Sequence, residues 1–144
     1  YVNSYRRYVK DHAAPINLEW ARDNRTTGIR VPLSSNSARR VENRLAGMDC
    51  NPYLGIAVSL ACGYLGIKNE VRPSKQFRGD AYEGAEDIPR GLRSALELFE
   101  EATPLHDILG PEFCRVYSIV KKAEHDEFLQ VISPWEREHL LLNV

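Results

Sequence analysis

Arginine dominates the stretch of sequence that could do chemistry. Arg6 and Arg7 come first, then Arg22, Arg25 and Arg30 in a span rich in Asn, Thr and Gly, and Arg39, Arg40 and Arg44 close the set around one carboxylate, Glu42. Each guanidinium is a planar fork of N–H donors that matches a carboxylate or a phosphate. As alternate residues of an extended segment, Arg40, Glu42 and Arg44 project from one face at intervals of roughly 7 Å. Three charges on that face cannot point into a dry core. Four or five arginines against one carboxylate leave positive charge unneutralised, and a buried excess of that kind is costly unless an anion fills the site. A polyphosphate with its divalent cation meets the need, Glu42 holding the metal and the arginines stabilising charge on a transferring phosphoryl group. A solvated basic face is the alternative. A nucleic-acid surface would favour lysines and interleaved exposed aromatics over long distances, which this segment lacks.

The charge is unevenly spread. The net charge of the 144 residues is −1, yet residues 1–44 carry nine basic against four acidic side chains and the remaining hundred carry ten against sixteen. That asymmetry places an anionic ligand at the first segment. The composition, 43% hydrophobic and 27% charged, is that of one globular domain, long enough to bury about two-thirds of its unfolded surface. Three cysteines, at 50, 62 and 114, form no CxxC pair and are odd in number, which points away from a disulfide scaffold and towards a reducing, cytoplasmic home. The apolar run from Pro52 to Ile67 is shorter than the ~20 residues that span a bilayer. No membrane anchor is expected. The sequence opens Tyr1-Val2-Asn3 with neither methionine nor signal peptide, and reads as a fragment.

The elements that must position these arginines follow from periodicity. Ile16, Leu18 and Trp20 alternate with polar or small residues, and so do Ile29, Val31 and Leu33, which is the pattern of half-buried strands. Val41, Asn43 and Leu45 resume the alternation after the turn-rich Ser34-Ser35-Asn36-Ser37. An antiparallel hairpin over 28–33 and 39–45 is expected, backed by helices in an α+β fold. Asn51-Pro52 is a helix start, and the helix to about Lys68 is apolar nearly all round, so it should be buried behind the sheet. Residues 69–88 read as a long loop. Leu92, Ala95, Leu96 and Phe99 mark an amphipathic helix that ends before Pro104, and a second should start near Pro111 and bury Phe113, Val116, Tyr117 and Val120. Ser133-Pro134-Trp135-Glu136 has the capping-box pattern, so a short helix runs to Leu142. Residues 1–50 thus hold strands and loops of the site, residues 51–144 are mainly helical, and the whole is one fragment of a single domain.

Four motifs stand out in order: Asn3-Ser4-Tyr5-Arg6-Arg7, Asn24-Arg25-Thr26 to Pro32, Ala38-Arg39-Arg40-Val41-Glu42-Asn43-Arg44, and Asn51-Pro52-Tyr53-Leu54. Together they strongly resemble the C-terminal part of the catalytic domain of glutamine synthetase and its γ-glutamyl-amine ligase relatives, densely over 3–68 and more weakly beyond. The resemblance implies an ATP-dependent ligation in which the γ-carboxylate of glutamate is phosphorylated and an amine displaces phosphate. It makes Arg7 the residue for the glutamate carboxylate, and Arg25 the one spanning nucleotide phosphates and substrate. Arg30 and Arg40 become ATP contacts, Glu42 a ligand of Mg2+ or Mn2+, and Arg44 the arginine that meets γ-glutamyl phosphate. These roles agree with the charge logic. The family's other metal ligands lie upstream of Tyr1, so the fragment alone is expected to be inactive. Full-length members form stacked hexameric rings, which implies a homo-oligomeric dodecamer.

Two positions depart from the family pattern. Ammonia-using members carry a glutamate just before the Ala-Pro that is Ala14-Pro15 here, and this chain has Ala13. That favours glutamate-amine ligation over ammonia-dependent glutamine formation, because an alanine leaves volume for an alkyl-ammonium substrate. Drift in a mobile loop, with His12 or Asp11 taking over, is the alternative. Ser37 stands where many relatives place a lysine near the nucleotide. A rival of another class is a non-catalytic homologue with a binding or regulatory role. Among the other candidates, His106, His125 and His139 read as surface or capping residues, Cys50 and Cys62 as packing thiols, and Trp20 and Trp135 as core or interface anchors.

Overall fold

A computed structural model describes residues 1–84 and 86–143. Its sheet has three short strands, β1 (Trp20–Arg22), β2 (Ile29–Val31) and β3 (Glu42–Asn43), in that order. β2 and β3 are antiparallel with Arg30 opposite Glu42, within the expected hairpin though shorter than it. β1 runs parallel to β2. The sheet is therefore mixed rather than antiparallel, because the connection from Asp23 to Gly28 loops back instead of folding into a hairpin. Between β2 and β3 a 3-10 turn occupies Asn36–Ala38.

The first alternating segment does not bury the residues its pattern nominates. Ile16 and Asn17 are both fully buried, and Leu18 is 60% exposed. Asn17 is inside because its carboxamide satisfies backbone groups that no ladder reaches. Its Nδ2 donates to the carbonyls of Thr26 (3.0 Å) and Ala81 (3.2 Å). Its Oδ1 accepts from the N–H groups of Glu19 and Gly28, each at 3.2 Å. Gly28 is required by this approach, since a Cβ there would lie 2.4 Å from the Asn17 carbonyl oxygen. Thr27, also fully buried, donates from its hydroxyl to the carbonyls of Asn24 (3.1 Å) and Ile29 (3.0 Å). The turn from 23 to 28 is thereby tied to the segment before β1 and to the 3-10 turn at Ala81–Glu83.

Five helices follow: α1 (Pro52–Lys68), α2 (Leu92–Glu101), α3 (Thr103–Leu109), α4 (Pro111–Leu129) and α5 (Pro134–His139). The Asn51 side chain caps α1 by accepting from Tyr53 and Leu54 N–H, and Ser133 with Glu136 forms a capping box on α5, as the sequence predicts. α3 was not expected; Pro104 stands in its first turn, where the missing N–H is harmless. The helices pack chiefly on one another, α2 against α4, and α3 against both α1 and α4.

Two expected burial patterns are corrected. α1 buries only Ala61, and Tyr53, Ile56, Leu60, Tyr64 and Ile67 form an exposed apolar ridge. An apolar sequence sets what a helix would bury but supplies no partner for it. On α4 the buried residues are Cys114 and Ser118, whereas Phe113, Val116 and Val120 are exposed and Tyr117 half-buried. α4 packs against both α2 and α3, and the residues it buries are small ones. Cys50 and Cys62 are exposed, so neither is a packing thiol. Trp20 is half-buried and donates from Nε1 to the Ser74 carbonyl at 2.8 Å. Trp135 is exposed and stacks on His139. No helix among the described residues is long and apolar enough to cross a membrane.

Replacing Asn17 by Ala strands the Thr26 carbonyl and the N–H groups of Glu19 and Gly28, each a costly loss without a substitute partner, and leaves the Ala81 carbonyl only its 3.4 Å bond from Gly84 N–H. We expect Asn17→Ala to lower stability by about 3 kcal/mol or more. Urea denaturation would read this as a lower midpoint at unchanged slope, and a midpoint like the wild type's would refute it.

Candidate active site

The site grows from the register of β2 and β3. Because Arg30 is paired with Glu42 across the strands, their side chains emerge on the same face and meet: Arg30 Nη1 donates to Glu42 Oε2 at 2.9 Å. The other carboxylate oxygen, Oε1, accepts from Arg40 Nη2 at 3.3 Å. Asn43, the next residue, points the opposite way and donates to the Ser59 hydroxyl of α1 at 3.1 Å. The strand alternation expected for 40–44 thus holds at Glu42 and Asn43, although Arg40 and Arg44 lie just outside the two-residue strand.

Glu42 is not the sole carboxylate. Asp23, at the end of β1, accepts from Arg30 Nη2 at 2.5 Å. Arg30 is thus clamped between two acids, and the arginine excess is smaller than the sequence count suggests. A signal was available: Asp23 is an acid in the turn that follows β1, and the β1–β2 register sets Arg22 opposite Val31, one residue beyond Arg30. It could be used only once a parallel pairing was known.

Arg44 behaves differently. Its Nη2 donates to the Ala13 carbonyl at 2.9 Å and its Nη1 lies 3.5 Å from the Thr27 carbonyl. Both partners are neutral. Burial lowers its pKa below the usual arginine value, and the charges of Arg30 and Arg25 push the same way against the opposing pull of Tyr82 and Glu42. The exposed Arg25 is thus near enough to be felt. These two cations, without a carboxylate hydrogen-bonded to either among the described residues, are the part of the cluster that suits an incoming anion.

Arg7 reaches the same region from the 3-10 helix Val2–Arg7. Its Nη2 donates to the Leu45 carbonyl, its guanidinium lies 4.6 Å over the Tyr8 ring, and its Nε is buried without a hydrogen-bond partner. Arg7 is therefore placed beside the residue that follows Arg44. The loop between them is held from several sides. The Tyr82 hydroxyl is shared between the carbonyls of His12 and Ala14 (3.0 Å), and Arg90 donates to the Tyr8 carbonyl. Tyr82 had no signal in the sequence, because it lies in the stretch read as loop.

Arg30, Arg40 and Glu42 are thus brought together, Arg44 and Arg25 lie near enough to interact with them, and Arg7 is held at Leu45, the residue after Arg44. For a divalent cation the chain offers Glu42, whose carboxyl is held below the usual carboxylate range by the hydrogen bond from Arg30 and by both neighbouring cations. It is ionised and accessible, which suits a hard cation. No group of three or more His, Cys, Asp or Glu converges among the described residues. Glu42 can therefore supply one ligand of a complete shell.

The family model for the glutamine synthetase catalytic domain matches residues 1–140. Relatives include a glutamine synthetase of Methanococcus maripaludis, 34% identical over 97% of this chain and 33% of its own length. A glutamate–isopropylamine ligase of a Pseudomonas species is 37% identical, over 94% of this chain and 30% of its own. A gamma-glutamylputrescine synthetase of Escherichia coli is likewise 37% identical, over 99% and 30%. The chain spans about a third of the length of the relatives it matches. A match over nearly every residue means that this chain belongs to the glutamine synthetase catalytic-domain family.

Proposed function

We propose that the chain supplies the phosphoryl-stabilising half of an ATP-dependent ligase that joins the γ-carboxylate of glutamate to an amine through γ-glutamyl phosphate. The observation that carries this reading is the division of labour among the arginines. Arg30 is neutralised by Asp23 and Glu42, whereas Arg44 and Arg25 keep their charge free for an anion. In this reading Arg30 and Arg40 contact ATP, and Arg25 spans its phosphates and the substrate. Arg44 meets the acyl phosphate and Arg7 the glutamate carboxylate. Glu42 holds Mg2+ or Mn2+, which when bound neutralises phosphate charge and polarises the transferring group. Arg44 is pre-positioned by the Ala13 carbonyl, so its donors need little reorganisation as charge develops.

The amine is the finer question. Ala13 presents a methyl side chain at the loop whose carbonyl Arg44 grips, which leaves room beside the acyl phosphate for an alkyl-ammonium ion. The names of the isopropylamine and putrescine ligases support that choice, and the archaeal glutamine synthetases support ammonium as the second reading. The exposed ridge of α1 supports burial against further parts of the enzyme, consistent with assembly into a ring of subunits in a cytoplasmic enzyme.

The decisive experiment measures phosphate release by the full-length polypeptide with ATP, glutamate and a panel of ammonium, monoamines and polyamines. An alkylamine or polyamine should give the highest kcat/KM, and a failure of every amine to support phosphate release would leave the non-catalytic homologue. The 144 residues alone should form no γ-glutamyl product. Glu42→Gln should lower kcat by roughly 100-fold and weaken metal dependence, since a bridging metal supplies several kcal/mol; near-normal kinetics would reduce Glu42 to a structural ion-pair partner. Ala13→Glu should raise the ratio of kcat/KM for ammonium over the best alkylamine, provided that narrowing the entrance outweighs the attraction of a carboxylate for alkyl-ammonium. An unchanged ratio in an enzyme that already prefers ammonium would make it a glutamine synthetase.

A further inference from the structure

We infer that Asp23 is a positioning residue for nucleotide binding: it fixes the Arg30 guanidinium and leaves one oxygen of Glu42 outside the Arg30 ion pair. The inference rests on the reading of Arg30 as an ATP contact. A guanidinium facing a lone carboxylate takes both oxygens in a two-pronged pair. Here the prongs are divided, Nη1 to Glu42 Oε2 and Nη2 to Asp23 Oδ1. Glu42 therefore gives Arg30 a single oxygen, and its Oε1 faces the exposed Arg40 at the longer distance of 3.3 Å. Remove Asp23, and Nη2 is free to swing onto Oε1, rotating the Arg30 plane and closing the face of Glu42 that a cation or Arg40 would use.

The backbone is built for this. Asp23 has φ +50°, a left-handed conformation that Asp and Asn tolerate better than most residues because their short side chains bond locally. Its N–H donates to the Val31 carbonyl at 3.0 Å, closing the register one step beyond the β1–β2 ladder. The adjoining Asn24 accepts from the Thr26 N–H and hydroxyl and donates to the Gly79 carbonyl. The carboxylate is thus presented from a turn that cannot easily relax toward another partner. The Arg30 side chain is 15% exposed while that of Asp23 is 46% exposed. A half-solvated ion pair contributes little to stability. Its value lies in direction rather than in holding the fold.

The test uses the full-length enzyme. Alanine is a poor probe at a left-handed position, so Asp23→Gly removes the carboxylate without backbone strain and Asp23→Asn keeps an acceptor while removing the charge. Asp23→Gly should raise the KM for ATP by about tenfold with kcat within about threefold of wild type and the KM for glutamate unchanged. Asp23→Asn should recover most of that loss. The melting temperature should move by no more than about 2 °C in either variant. In an Arg30→Ala background, Asp23→Gly should change the KM for ATP by less than about twofold, because its effect runs through Arg30. If Arg30→Ala raises the KM for ATP and Asp23→Gly does not, the positioning role is wrong and the ligase reading stands. A full effect of Asp23→Gly in the absence of Arg30 also overturns it. If neither variant moves the KM for ATP in an active enzyme, Arg30 is not an ATP contact and the inference falls with that assignment. A wild-type enzyme that releases no phosphate from ATP with any amine overturns the ligase reading itself.

Discussion

Backbone groups from four separate places converge on the carboxamide of Asn17, and the arrangement of the site follows from their meeting there. Two carbonyls and two N–H groups, from 19, 26, 28 and 81, are satisfied by one side chain. A short sheet of two- and three-residue strands has too few ladder bonds to define its own register. The amide does so instead, by fixing the turn that separates β1 from β2 at the point where Gly28 touches the Asn17 backbone. From Gly28 the chain also gives its carbonyl to Arg44 N–H at 2.9 Å. Arg30 and Arg44 are consequently placed two residues after and directly opposite the same anchored glycine.

The electrostatics are layered on that frame. Two carboxylates and two arginines, Asp23, Glu42, Arg30 and Arg40, form a nearly balanced group, with Glu42 accepting from both arginines. Arg44 stands beside it without an acid of its own, partly buried and bonded to carbonyls. A guanidinium in that state loses hydration without gaining a counter-charge, which makes a phosphate a better partner for it than a carboxylate already taken.

Much of this was legible in residue types and spacing. The Asn51 cap, the Ser133 capping box and the apolar period of α2 depend on neighbours within a few residues, and each was found where the chain places it. The antiparallel pairing of 29–31 with 42–43 follows from alternation across a turn-rich stretch, and with it the Arg30–Glu42 pair becomes accessible to reasoning. What escaped depends on distant partners. Asn17 and Leu18 exchange the places that their polarity predicts because the amide meets groups from as far away as Ala81. The parallel β1–β2 pairing hides Asp23 from any hairpin-based count of charges. The apolar ridge of α1 finds no cover among the described residues, and α4 buries small side chains rather than its most hydrophobic ones.

Residues 12–14 are gripped through their own main chain, Tyr82 and Arg44 taking the carbonyls of His12, Ala13 and Ala14, while Lys10 adds a side-chain ion pair to Glu83. A carbonyl oxygen is common to every amino acid. The hold on Arg44 is therefore indifferent to the exposed side chains at 12 and 13, and these positions can vary without unfastening it. In the ligase proposed above, such a scaffold would let the loop explore new amines one residue at a time while the arginines stay where they were.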